Sequence, residues 1–159
     1  MSKELSQLLE DWLFIRKNTI EFLEALTEDE LVKHMPRPGI DTYMKHFEEM
    51  CDVQKAYLDA CVTGEMSFEC VKENDEYEGI TSKQEMISRM KEQDDRIEMI
   101  IEKCSSTEIK WEDDDIKTLN SQLRNLCIHE TLHLGQLIAF AYTMGINIPE
   151  YVIDGWALS

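Results

Sequence analysis

Turn-forming residues are scarce: the 159-residue chain has 6 Gly and 3 Pro, roughly half the usual shares of ~7% and ~5%. Few turn formers mean few connections, so long helices are expected rather than many short strands. Basic residues are also in deficit, with 16 Lys and Arg against 33 Asp and Glu and a net charge of −17. So acidic a chain lacks the basic face that DNA, RNA or an anionic lipid surface requires, and neither nucleic acid nor membrane is expected as a partner. Long apolar runs are missing too. The longest, Leu134 to Ile148, is interrupted by Gly135, Gln136, Gly145 and Asn147 and falls short of the ~20 residues of a bilayer span. Cys51, Cys61, Cys70, Cys104 and Cys127 form no C-x-x-C pair, and Met1-Ser2-Lys3-Glu4-Leu5 runs into a charged amphipathic segment rather than a secretory leader. A reducing, cytoplasmic setting is expected. Apolar types make up 43% of the chain, enough for one core, and the length suits a single domain over residues 1–159.

Four segments carry a 3.6-residue apolar period. The first spans about 3–26, with Leu5, Leu8, Leu9, Trp12, Leu13, Ile20, Leu23 and Leu26 on one face and Arg16 among them, snorkelling to water. Thr27, followed by Glu28-Asp29-Glu30, reads as an N-cap opening one or two turns before Pro36-Arg37-Pro38-Gly39 breaks the chain. Asp41 is placed to cap a second helix over about 42–62, with Tyr43, His46, Phe47, Met50, Val53, Gln54, Tyr57 and Cys61 inward and Gly64 ending it. Residues 64–80 are the longest break in periodicity. They can stretch about 50 Å, so the helices on either side can be parallel or antiparallel. A capping box, Ser82 to Glu85, opens a third helix over about 82–104, with Met86, Ile87, Met90, Ile97 and Ile101 inward. The link at 105–117 holds Glu112-Asp113-Asp114-Asp115, which lacks the alternation and Gly of a calcium loop and reads as a solvated loop. The fourth helix, about 118–144, turns Leu119, Leu123, Leu126, His129, Glu130, His133, Gln136, Leu137, Phe140 and Met144 inward and stops at Gly145. The tail from Ile146 is too apolar to stand free and is expected to fold back. No strand-like alternation is evident, so an all-α four-helix bundle with one long connection is predicted.

The chemistry concentrates in His129-Glu130-Thr131-Leu132-His133. At 100° per residue the two histidines lie about 40° apart, one turn along the same face, so both imidazoles can converge on one ion. His46 rides the inward stripe of the second helix, and a shared cation removes the cost of burying three unpaired imidazoles. His34, beside the Pro-rich break, reads as structural. Three arrangements use this pentapeptide. A zincin takes Glu130 as general base on zinc-bound water, but no third ligand follows at the required spacing and nothing resembles a peptide-binding edge strand. A di-iron site needs a second Glu-x-x-His, and Leu31 and Tyr43 stand three residues before His34 and His46. The third joins His46, His129 and His133 in a three-histidine site with an open coordination position, as catalytic sites have.

At this point the chain resembles the DinB/YfiT-like family of metal-binding four-helix bundles. The resemblance rests on the Leu31…Pro36…Gly39 stretch before a helix carrying His46, the long connection, and His129-x-x-x-His133-Leu134-Gly135-Gln136-Leu137 with Met144-Gly145 downstream. It implies an up-down-down-up bundle, a homodimer, and one divalent metal ion per chain held by His46, His129 and His133. It also implies a small-molecule substrate and thiol-dependent S-transferase chemistry with a low-molecular-weight thiol such as bacillithiol or mycothiol. A hydrolase and a non-enzymatic metal-binding or dimerisation bundle are the other readings. Imidazole ligands suit Zn, Ni or Fe alike. Gln136, one turn beyond His133, is a candidate to hydrogen-bond behind the ligands; Glu130 is a candidate base or a partner of a neighbouring helix; and Cys127, on another face, is expected to be a packed thiol.

Overall fold

The computed structural model describes residues 2–104, 108–112 and 115–158. In chain order these form α1 (Lys3–Ala25), α2 (Glu28–Leu31), α3 (Tyr43–Thr63), α4 (Lys83–Lys103), β1 (Glu108–Lys110), β2 (Ile116–Thr118), α5 (Leu119–Met144) and α6 (Glu150–Trp156). Each long helix begins where a hydroxyl takes up a free backbone donor. Ser2 accepts from Leu5 N, Thr42 from Lys45 N, Ser82 from Glu85 N and Thr118 from Ser121 N, and such caps stabilise a helix by about 1 kcal/mol. The α3 cap is Thr42, not Asp41. The Asp41 carboxylate accepts instead from Lys45 Nζ at 2.7 Å, because α3 starts one residue later than the periodicity suggests. A complete reciprocal capping box is found at Thr27 and Glu30. Gly64 and Gly145 end α3 and α5 with φ of +79° and +66°, a left-handed conformation that costs other residues strain.

α1 packs on α4 and α5, and α3 packs on the same two helices. The buried face of α1 runs Leu5, Leu8, Trp12, Ile15, Thr19, Phe22, Leu26, a strict three–four spacing. Leu13, expected inward, is 47% exposed because it falls outside that register. The chain is mostly helical, as expected, with the addition of a small antiparallel hairpin in which Ile109 faces Lys117. Only Ile109 of β1 is buried, and three residues are too few to show a period of two. Asp113 and Asp114, part of the acidic run considered for calcium, lie outside the described residues. The long connection is pinned to α3: the Glu48 carboxylate accepts from Gly79 N at 3.0 Å and from Thr81 N at 3.1 Å, and Tyr77 OH donates to Asp52 Oδ2 at 3.2 Å. The tail folds back as α6 on α1, with Val152 buried and the Trp156 ring 5.3 Å from that of Phe14. Among the described residues, no helix is long and apolar enough to cross a membrane.

The core is two apolar clusters with a polar layer between them. One contains Phe22, Phe47, Met50, Met90 and Leu134; the other contains Trp12, Val53, Ile97, Leu123 and Cys127. On every long helix a polar residue falls between members of the two: buried Arg16 on α1, Gln54 on α3 and Glu130 on α5, and partly buried Asp94 on α4. Arg16 does not reach water. Its Nη1 lies 2.9 Å from Glu130 Oε1, its Nε donates to Asp94 Oδ1 at 3.2 Å, and its Nη2 donates to Gln54 Oε1. Asp94 Oδ1 also accepts from Trp12 Nε1 at 3.0 Å and Gln54 Nε2 at 3.1 Å. Burial opposes the guanidinium's charge, but the Glu130 and Asp94 carboxylates outweigh it and hold its pKa above the ordinary value.

Removing one member of such a group leaves an uncompensated buried charge. Arg16→Met is therefore expected to lower the unfolding free energy by about 3–5 kcal/mol, and adding Glu130→Leu should recover part of the loss. Urea denaturation of the single and double variants checks this. A single variant within about 1 kcal/mol of wild type, the range of an exposed ion pair, would show that the layer does not hold the helices.

Candidate metal centre

α3 and α5 pack against each other and bring their polar residues together just beyond the Arg16 layer. α3 contributes His46 and Glu49, three residues apart, and α5 contributes His129 and His133, four apart; both spacings place the pair on one helix face. His129 Nε2 lies 3.4 Å from Glu49 Oε1, and His133 Nε2 lies 3.1 Å from Glu49 Oε2. Ligand atoms of all three residues fall within 4.8 Å of one another. Two ligands each ~2.05 Å from one ion at a tetrahedral angle stand about 3.3 Å apart, so the two Glu49 separations suit a shared cation. Glu49 Oε2 is buried and lies 3.1 Å from His133 Nε2, as expected of a ligand atom. The donor set is two imidazoles and a carboxylate, which suits zinc or ferrous iron. The side chains of Glu49, His133 and His129 are 12%, 9% and 21% exposed, so the group is largely desolvated yet reachable.

His46 is fully buried and holds a different place. Its Nδ1 shares a 2.9 Å hydrogen bond with Nδ1 of His133, the ring nitrogen not directed to Glu49. The structure thus gathers His129 and His133 with Glu49 and sets His46 behind His133. The direction of the bond follows from Arg37, whose Nη1 lies 3.4 Å from His46 Nε2. A guanidinium can only donate, so His46 Nε2 accepts, His46 Nδ1 carries the proton and donates to His133, and the His133 proton sits on Nε2 facing Glu49. Ligation through His133 Nε2 would need that proton on Nδ1 instead, so the bond to His46 would reverse, with His133 donating. Gln136 belongs to the same surroundings, its Oε1 accepting from Arg37 Nη1 at 2.8 Å.

Glu130 is not part of the group. It is 1% exposed and its carboxylate meets Arg16 on the neighbouring helix, so a base directed at the ion is not where the pentapeptide suggests. Burial pushes its carboxyl above the ordinary range, opposed by Arg16. His34 is exposed and bonds Asp41 at 2.7 Å. Cys127 is a buried, free thiol, which burial pushes up to about 11. Glu49 is the residue that the sequence reading missed. Its signal was the H-x-x-E spacing from His46, the reverse of the E-x-x-H order that di-iron sites use. Comparison of the chain with protein-family models and with curated proteins finds no match in either.

Burial, with Arg37 nearby, lowers the pKa of His46 from 6.5 to about 4. Burial likewise lowers His133 to about 4, more than Glu49 offsets. Both imidazoles are therefore neutral at pH 7, the form that binds metal. Because the folded pKa is depressed, the unfolded chain takes up protons first as pH falls. Stability of the metal-free protein is full above about 6.5 and is lost progressively toward about 4. Denaturation midpoints measured in chelator should fall between pH about 6.5 and about 5, where most carboxylates stay ionised. That slope should flatten in a His46→Gln, His133→Gln double variant; an equal slope there would assign it to other groups.

Proposed function

We propose that this chain is a metal-dependent enzyme of the DinB/YfiT-like kind, its long helices running up-down-down-up, that transfers a low-molecular-weight thiol to a small electrophilic substrate. The observation that carries the reading is the convergence of Glu49, His129 and His133 at a partly open position between α3 and α5. Three protein ligands leave room for one exchangeable ligand, the composition of catalytic rather than closed structural sites. A bound divalent ion lowers the pKa of a thiol or water beside it. The chain's own residues supply the setting. Glu49 contributes the single negative charge, His46 orients His133 through its Nδ1, and the neutral imidazoles leave the site with net positive charge to favour a thiolate. In the transfer, sulfur forms a bond to carbon, the leaving group departs with its electron pair, and the thiol proton passes to solvent. The family resemblance further supports a homodimer, and the unpaired cysteines and net charge of −17 support a cytoplasmic protein with neither nucleic acid nor membrane as partner.

The donor set favours a second reading. Two histidines and a glutamate are the ligands of hydrolytic zinc sites, and with water in the open position the same centre is a hydrolase.

The protein loaded with Zn, Ni or Fe is expected to hold one divalent ion per chain. Glu49→Ala and His133→Ala should each abolish stoichiometric metal, whereas His46→Ala, removing the group that orients a ligand, should weaken it about 10–100-fold. Elemental analysis after dialysis checks this, and full metal content in His133→Ala would overturn the site. Turnover of monochlorobimane with added thiols but not of ester or amide substrates would support transfer. The opposite pattern would support hydrolysis, and silence in both a non-catalytic metal protein.

A further inference from the structure

The outer face of α5 differs from the rest of the surface. Glu130 is the only Asp, Glu, Lys or Arg between Asn125 and Met144, and it is buried against Arg16. α4, of similar length, carries eleven such residues. What α5 turns outward is apolar. Ile128, Leu132 and Tyr142 are 60%, 58% and 59% exposed, and their spacing places them, with Gly135 and Ala139, within about 80° of helix surface. Gly135 stands at the middle of this stripe. Its backbone is helical, not left-handed, and a Cβ placed there would meet nothing within 4 Å outside its own stretch of helix. Glycine weakens a helix interior relative to alanine, and no contact within the chain accounts for it; what it allows is the close approach of a second backbone. An apolar recess of about 270 Å³ opens beside it, between α5 and the tail, bordered by Thr131, Ile138, Trp156 and Leu158.

We infer that this face is the contact between two copies of the chain, whose α5 helices cross antiparallel at Gly135. Charge and symmetry name the occupant. Each copy carries −17, so two copies repel wherever their acids meet, and here neither brings any. A twofold contact needs a patch that is complementary to itself, and α5 supplies one about Gly135. Ile128 and Tyr142 stand seven residues before and after it, and Leu132 and Ala139 stand three before and four after. In the antiparallel crossing Ile128 therefore meets Tyr142 of the partner subunit, and Leu132 meets the small Ala139 of the partner subunit. The inference rests on the homodimer proposed above, for which it assigns the interface. The metal group is separate from it, since His129 and His133 lie about 100° and 140° around α5 from Ile128.

Sedimentation velocity of the full-length protein across a dilution series tests this. Wild type is expected to sediment at twice the 18.6 kDa chain mass, and to dissociate less readily as salt rises, because screening weakens the repulsion between copies. Leu132→Glu sets an acid from each copy into the apolar contact, and Gly135→Leu props the two backbones apart. Each should weaken the dimer at least about tenfold. Leucine suits a helix interior better than glycine, so Gly135→Leu should dissociate with its helical circular dichroism intact. Val62→Glu, at a site on α3 that is 65% exposed, should dimerise as wild type does. A dimer of wild-type strength in Leu132→Glu or in Gly135→Leu overturns this face and leaves the homodimer standing. Wild type that is monomeric at every concentration overturns both.

Discussion

The rest of the structure depends on one buried guanidinium. Arg16 on α1 meets Glu130 on α5, Asp94 on α4 and Gln54 on α3, so one side chain is bonded to every other long helix. It also lies over the Trp12 ring, 4.6 Å from its centroid. The apolar clusters on either side contribute the larger burial energy, but oily faces tolerate sliding and rotation, whereas a desolvated charge tolerates only the arrangement that satisfies it. With Glu130 turned to Arg16, His129 and His133 lie about 100° and 60° to one side of it around α5. With Gln54 turned to the same layer, His46 and Glu49 lie about 80° and 140° to one side of it around α3. The polar layer thus sets the helix rotations that bring Glu49 to His129 and His133, with His46 behind His133.

Electrostatically the two polar groups are opposites, although they are adjacent along α5. In the layer, one guanidinium is shared by two carboxylates, so each formal charge there has its partner within the protein. In the candidate metal group, burial keeps His46 and His133 neutral, a single carboxylate, Glu49, faces His133, and Arg37 has no carboxylate partner among the described residues. A protein with net charge −17 could have placed further carboxylates here at little distance along the chain, since Glu48 and Asp52 flank Glu49 on α3. Those two instead turn to the long connection, where Glu48 binds Gly79 and Thr81 while Asp52 binds Tyr77 and Arg89. Keeping them there leaves the centre short of negative charge.

Much of this was legible in the chain. Few Gly and Pro foretold long helices, Ser82 marked the start of α4 and Gly64 and Gly145 the ends of α3 and α5, and the apolar tail was bound to find cover. The hairpin was not legible, because two three-residue strands carry too little pattern. Arg16 was seen on an inward stripe and taken to snorkel, since its carboxylate partners lie 78 and 114 residues away in sequence and no local rule predicts such pairing. The same limit hid Glu49. On a helix wheel it sits at the edge of the buried stripe among ordinary surface acids, and only its approach to His129 and His133 across a helix interface distinguishes it.

The pentapeptide His129 to His133 shows why spacing alone is a weak guide to mechanism. In a zincin, the glutamate after the first histidine must face the water bound to zinc in order to accept its proton. Here that glutamate lies 100° around the helix from His129 and is fully desolvated against Arg16. A carboxylate so placed is the counter-ion of a structural cation, and freeing it to act as a base would leave Arg16 without its α5 partner. The two halves of the motif therefore serve different ends: the histidines belong to a group that could hold a metal ion, and the glutamate holds the helix that presents them. Proton transfer at an ion held beside these histidines would then involve solvent or a bound small molecule rather than Glu130.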